Sequence, residues 1–304
     1  ATSVASGTVT VRGDNIFLRD AITTEGGAVN LTADTGSVFS DSGADITTTG
    51  PVNEGVASGK ITVTAQGDVV LQNKVSTGNN NTADVGANAA AIQVTAITGN
   101  LEVGAITTTG GSASDNPDLP NRNGGNAGNI LLRAPEGFIF LNGDLSAVGG
   151  SPSDDTADPG LGGFIQVGDS DAANFDDPAV INGDRSITTG STTGDIAIYT
   201  DVDSASVTNH ALTLTAGAGN VLVEGEIGGA GPLSRFQVVS SVRTDLEDSI
   251  TTSGTPTSGE PGIIIQASSQ TRLGDNDVTS GSGAIILNTE ANNGIISFTD
   301  SSSV

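Results

Sequence analysis

The sequence predicts an all-β fold, a parallel β-helix with about three strands per coil and roughly eleven coils, enlarged by loop insertions after the third strand. Three observations predict it: short apolar runs of period two, their recurrence in a fixed order, and Gly-, Asn- and Asp-rich insertions at one phase of the repeat. The stretch 125–150, GNAGNILLRAPEGFIFLNGDLSAVGG, contains the pattern in miniature. Its runs 130–132, 138–141 and 145–148 are too short for helices and are separated by residues that let a backbone turn sharply.

The first ladder recurs as Val9/Val11, Val29/Leu31, Ile61/Val63, Ile92/Val94, Ile130/Leu132, Ile165/Val167, Ile196/Ile198, Leu212/Leu214, Phe236/Val238, Ile263/Ile265 and Ile285/Leu287. Alternation of this kind puts one face inside and one outside. A second ladder follows at Ile16/Leu18, Val69/Leu71, Leu101/Val103, Phe138/Phe140 and Val221/Val223, with Val38 and Leu273 as weaker members. The third is the string Ile-Thr-Thr and its variants, placing Ile22, Ile46, Val75, Ile106, Ile187, Ile250 and Val278 in one apolar slot. Outward columns are expected at Thr23, Thr47, Thr107, Thr188 and Thr251, and substitution of Thr108 or Ser114 is expected to cost little.

Where connections are short, one cycle takes roughly 20 residues, enough for three strands and three tight turns. Longer cycles grow after the third strand, at 51–58, 79–90, 110–125 and 149–162. A two-sheet sandwich offers no reason for that phase-locking, whereas a solenoid projects such loops from one face. The expected organisation is one β-solenoid domain over 1–304, with an irregular section at 169–211 where Asp176-Asp177-Pro178 interrupts a strand.

Composition narrows the partners. Ten Lys and Arg against 35 Asp and Glu leave a net charge of −25, which repels phosphate backbones and anionic membrane surfaces, so nucleic acid and membrane insertion are not expected. No apolar run reaches the length of a membrane span. Cysteine is absent, excluding disulfides and thiolate metal sites. With no Met and a start at Ala1-Thr2-Ser3-Val4, the chain is expected to be a processed or excised piece of a longer exported protein.

The unit GGNAGNILLRAPEGFIFLNGDLSAVGG, with SGKITVTAQGDVVLQNKVSTG and ALTLTAGAGNVLVEGEI, resembles the repeats of filamentous-haemagglutinin-like exoproteins, bacterial surface adhesins of the two-partner secretion type. Such repeats fit right-handed parallel β-helices. The resemblance covers nearly the whole chain and implies an exported cell-surface or extracellular fibre for adhesion or scaffolding, without catalytic residues.

The alternative class is a polysaccharide-binding or polysaccharide-cleaving β-helix. Cleavage needs clustered carboxylates, or calcium beside an Arg or Lys base. Asp154-Asp155 and Asp176-Asp177 are adjacent carboxylates with Arg133 and Arg185 as candidate bases, but neighbours on a strand point to opposite faces. His210, the sole histidine, stands at a strand entrance without a nucleophile motif, and a single His with no Cys builds no zinc site. Calcium is the candidate ligand, through the loop carboxylates Asp115, Asp118, Asp154, Asp155, Asp158, Asp176 and Asp177, with Asp169 and Asp171 nearby. The expected function is therefore a non-enzymatic structural or adhesive segment meeting a host or neighbouring-cell surface, a glycan, or copies of itself end to end. Unblocked strand edges at 6–11 and 295–298 would serve the last of these as an extracellular filament.

Overall fold

The computed structural model describes residues 7–50, 56–78, 86–113, 122–154, 156–170, 178–205, 209–253, 261–274, 278–280, 284–289 and 295–298. Among them are strands and turns but no helix, hence no helix long and apolar enough to cross a membrane. Val, Ile and Thr suit a pleated surface, and Gly, Asn and Asp end each run after three to six residues.

The described strands form three parallel sheets visited in the order A, B, C. Sheet A stacks eleven, from Val9–Gly13 and Val29–Ala33 to Ile295–Phe298. Sheet B stacks seven, from Ile16–Leu18 to Val202–Ser204, and continues through the bridges Val202–Ile227 and Ile227–Ile250 to the paired strands Ile250–Thr252 and Val278–Ser280. Sheet C stacks ten, from Ile22–Glu25 to Ile285–Thr289. This is the expected parallel β-solenoid, and eleven layers at about 4.8 Å make a rod on the order of 50 Å long.

Like stacks on like inside. Val29, Ile61, Ile92, Ile130, Ile165 and Ile196 form one fully buried column of sheet A. Ile22, Ile46, Val75 and Ile106 stack in sheet C as their shared slot predicts.

Two expectations are corrected. The ladders do not keep to one face: the first seven members of the first ladder lie in sheet A, but Leu212/Leu214, Phe236/Val238, Ile263/Ile265 and Ile285/Leu287 lie in sheet C. Val221/Val223 and Leu273 move correspondingly to sheet A, and Ile250 and Val278 to the continuation of sheet B. The shift arises because Ile196–Ile198 and Val202–Ser204 fill sheets A and B and are followed directly by a long strand, Ala211–Thr215, in sheet C. Two thirds of a repeat advance everything after them by one face. Phe138 and Phe140, expected in the core, face outward, while Ile139 and Leu141 are buried and stack on Leu101 and Val103. Both parities of Phe-Ile-Phe-Leu are apolar, so alternation within that strand cannot choose; the register of the stack does.

Thr108 supplies a third correction. The second Thr of the repeated Ile-Thr-Thr string faces inward: Thr24, Thr48, Thr77 and Thr108 share one register and are buried. Each hydroxyl donates to the backbone carbonyl of a residue just before the next sheet-A strand, Gly27, Gly59, Ala90 or Gly128, at 2.5–2.6 Å. The bonds span 3, 11, 13 and 20 residues respectively, so one side-chain type closes the coil whatever the length of the insertion. Ser114 lies outside the described residues.

Insertions and corners are also tied from layer to layer. Gly111 N–H donates to Ala87 carbonyl, Gly125 to Gly111, Gly150 to Gly125 and Gly160 to Gly150, each at 2.8 Å, so outgoing and returning limbs of successive insertions stack on one another. Only glycine permits this approach: a Cβ at Gly125 would lie 2.0 Å from the Ala87 oxygen, and one at Gly160 would lie 1.8 Å from that of Gly125. At the corner entering sheet B, Asn15 accepts from Ser37 N–H, Ser37 from Asp68, Asp68 from Asn100 and Asn100 from Phe138, at 2.8–3.0 Å. These turn residues thus complete the hydrogen bonds of the next layer where the strand ladder is broken.

Leu132→Asp should destabilise by several kcal/mol (~3–5) in urea unfolding, because the buried carboxylate has no partner, while Leu131→Asp on the outward side should change stability by less than about 1 kcal/mol. Thr108→Val should cost about 1–3 kcal/mol by leaving the Gly128 carbonyl without its donor, and Thr107→Val about zero. Equal costs at Thr107 and Thr108 would contradict the closing role of the inner hydroxyl.

Candidate functional site

Period two inside each coil and identical register between coils make an outward column on sheet B: Phe17, Phe39, Val70, Glu102, Phe140, Val180 and Asp203. It is largely apolar although it faces solvent. Phe17 and Phe138 are 65% and 40% exposed. The Phe17 and Phe39 rings stack with centroids 5.7 Å apart and planes at 19°, and Phe138 lies 6.0 Å from Phe140. Half of the chain's eight phenylalanines therefore stand on one outward face.

A polar edge accompanies the rings. Asn142 Nδ2 donates to Glu102 Oε1 at 2.8 Å, and Asn182 Nδ2 to Asn142 Oδ1 at 3.2 Å, one amide per layer. Glu102, Phe140, Asn142, Val180, Asn182 and Ala205 line a shallow groove of about 300 Å³. Chemically, the face offers ring planes and C–H surface beside a row of fixed amide and carboxylate groups.

Of the proposed calcium ligands, Asp154 and Asp158 are described. Asp154 Oδ1 accepts from the N–H and hydroxyl of Thr156 at 2.8 and 2.6 Å, capping its own turn. Asp158 N–H donates to Asn123 Oδ1, and its carbonyl accepts from Gly124 N–H, both at 3.0 Å. Asp115, Asp118, Asp155, Asp171, Asp176 and Asp177 lie outside the described residues, among which no group of three or more His, Asp or Glu side chains is placed to hold a metal. Arg185 is committed to the carbonyls of Leu141, Asp184 and Asn182, bracing a corner. His210 heads the strand Ala211–Thr215, and its N–H bonds Ser204 Oγ at 2.8 Å.

Sequence reading passed over a group of carboxylates between sheets A and B in the C-terminal half. Burial pushes the Asp201, Glu224 and Glu226 carboxyls above their ordinary values, and repulsion from Asp203, Glu247 and Asp248 adds to it. Asp201 Oδ1 accepts from the Glu226 N–H at 2.7 Å, which partly offsets its own shift. The signal was the Glu-Gly-Glu string at 224–226, where the turn between sheets A and B sets Glu224 near Glu247 and Glu226 near Asp201, Asp203 and Asp248.

The chain matches no family model, no curated protein and no solved structure.

Raised acid pKa values mean that the fold holds these protons more tightly than the unfolded chain. Their contribution to stability therefore rises as pH falls through the raised folded values toward the ordinary carboxylate range, and is lost as pH climbs back. The melting temperature should increase from about pH 7 to about pH 5, and Glu226→Gln should flatten that dependence while raising the melting temperature at neutral pH. Thermal melts followed by circular dichroism at both pH values check it.

Proposed function

We propose that the chain is a non-enzymatic structural or adhesive segment of an exported bacterial cell-surface or extracellular fibre, with the outward face of sheet B as its contact surface. The observation that carries this reading is two pairs of outward aromatic rings, Phe17/Phe39 and Phe138/Phe140, on a sheet already closed on its inner side. Exposed rings contribute nothing to the core, and an apolar strip bordered by polar groups is the usual form of an interaction site. Supporting it, the solenoid is tied at strands, corners and insertions alike, which suits a rigid spacer. Arg185, one of the two candidate bases for cleavage, is held by three backbone carbonyls.

A polysaccharide-binding role is the second reading, favoured by the amide row beside Phe140, since ring faces with adjacent planar hydrogen-bonding groups suit sugar hydroxyls and C–H faces.

The triple variant Phe17→Ser/Phe39→Ser/Phe140→Ser should reduce attachment of protein-coated beads to cell layers and to glycan-coated surfaces by about tenfold or more, with an unchanged circular dichroism spectrum. Loss on both surfaces supports adhesion, and loss on glycan alone supports the second reading. Unchanged attachment on both, in a protein whose wild type attaches, would refute the assignment of this face.

A further inference from the structure

The outward side of sheet A carries a separate cleft in the C-terminal half. Ala197 stands in one outward column between Gln166 and Leu222, and its small side chain leaves a hollow there. The residues around it are Phe164, Tyr199, Asp195, Asn220, Arg243 and Asp245, and they enclose about 390 Å³. That is inside the range of about 300–1,000 Å³ typical of small-molecule sites. Phe164 lies next to Asp195 in the neighbouring coil, and Tyr199 shares the outward face with Ala197, two residues on. An aromatic ring therefore flanks the hollow on each side.

Polar groups converge at the far end. Asp195 Oδ1 accepts from the backbone and side-chain nitrogens of Asn220 at 2.7 and 3.1 Å, which sets the carboxylate and amide side by side. Arg243 Nη2 lies 2.6 Å from Asp245 Oδ2, with the Asp245 side chain only 14% exposed. The other oxygen of Asp245, Oδ1, is buried and finds no donor among the described residues.

The geometry points to this cleft as a binding site for one residue of a neutral saccharide, with its C–H face against Phe164 and Tyr199 and its hydroxyls toward the Asp195 and Asp245 carboxylates. Asp195 and Asp245, in a chain of net charge −25, repel an anion, and Arg243 is already paired with Asp245, so ligand hydroxyls rather than a carboxylate or phosphate suit the cleft. Vicinal hydroxyls suit the planar carboxylate, amide and guanidinium groups, which supply acceptors and donors at fixed angles. No residue of the sheet B face takes part, so this site stands or falls independently of the function proposed above.

Tyr199 supplies the readout. It is the only tyrosine in a chain without tryptophan, so tyrosine emission reports on this cleft alone. The intact chain is titrated with cellotriose, maltotriose and chitotriose, with choline and glucuronate as charged probes, while tyrosine emission is recorded. A saturable change with at least one neutral probe, weakened about tenfold or more in Ala197→Leu and in Asp245→Asn, supports the proposal. Phe164→Ser, also with Tyr199 retained, serves in place of either variant if it fails to give the wild-type circular dichroism spectrum. The triple phenylalanine variant of sheet B should bind the same probe with wild-type affinity. Emission that no neutral probe changes, tighter binding of either charged probe, or saturation unaltered when the hollow is filled would each overturn it.

Discussion

Every coil of this protein depends on the hydrogen bonds it exchanges with the coils on either side. A single coil offers a few inward Val, Ile and Leu side chains and a row of unpaired backbone groups, and it cannot stand alone. In-register parallel stacking meets both needs at once, and the remaining features follow from where that stacking is interrupted. At corners the peptide groups turn away from the ladder, and Asn15, Ser37, Asp68 and Asn100 reach across to the next layer instead. In the insertions, Gly111, Gly125, Gly150 and Gly160 bring backbones close enough to bond without side chains between them. At the insertion's return, an inner threonine ties the chain back to the core.

The same constraint explains why the repeat moves from one face to the next without breaking the solenoid. Sheets A and C require the same thing of a strand, an apolar residue at alternate positions in register with its neighbour. Leu214 therefore stacks on Ile187 as readily as Ile187 stacks on Leu145. The consequence is functional, because loops and outward side chains follow the repeat. Insertions leave the corner between sheets C and A in the N-terminal half, whereas 253–262 leaves the corner between B and C. The two halves of the rod thus present different surfaces: an aromatic and amide face on sheet B, and a mixed-charge cleft with a carboxylate-rich corner beyond the shift.

Polarity and position part company at informative places. Thr108 is fully buried because its hydroxyl has a carbonyl partner, and Phe17 is mostly exposed because the core slots beside it belong to Ile16 and Leu18. An inward hydroxyl with a partner costs little and adds direction, whereas an outward ring has no structural need that the core has not already met. Outward rings are therefore where a contact function is best sought.

The sequence by itself determined the strand class, the three-strand repeat, the column Ile22–Ile46–Val75–Ile106 and the presence of insertions, because all are set by local alternation and turn chemistry recurring along the chain. It left Phe138 and Phe140 ambiguous, since Phe-Ile-Phe-Leu is apolar on both parities. It marked 169–211 as irregular but did not show that the next long strand, Ala211–Thr215, takes the third face after Ile196–Ile198 and Val202–Ser204, since an omitted Ile-Thr-Thr element looks the same as a short loop. The candidate sites were less legible still: Phe17, Phe39 and Phe140 are far apart in sequence, as are Ala197, Leu222 and Asp245, and each set becomes one surface only through register between coils. That register is a property of the stacked backbone, decided by which layers exchange hydrogen bonds, and no single coil contains it.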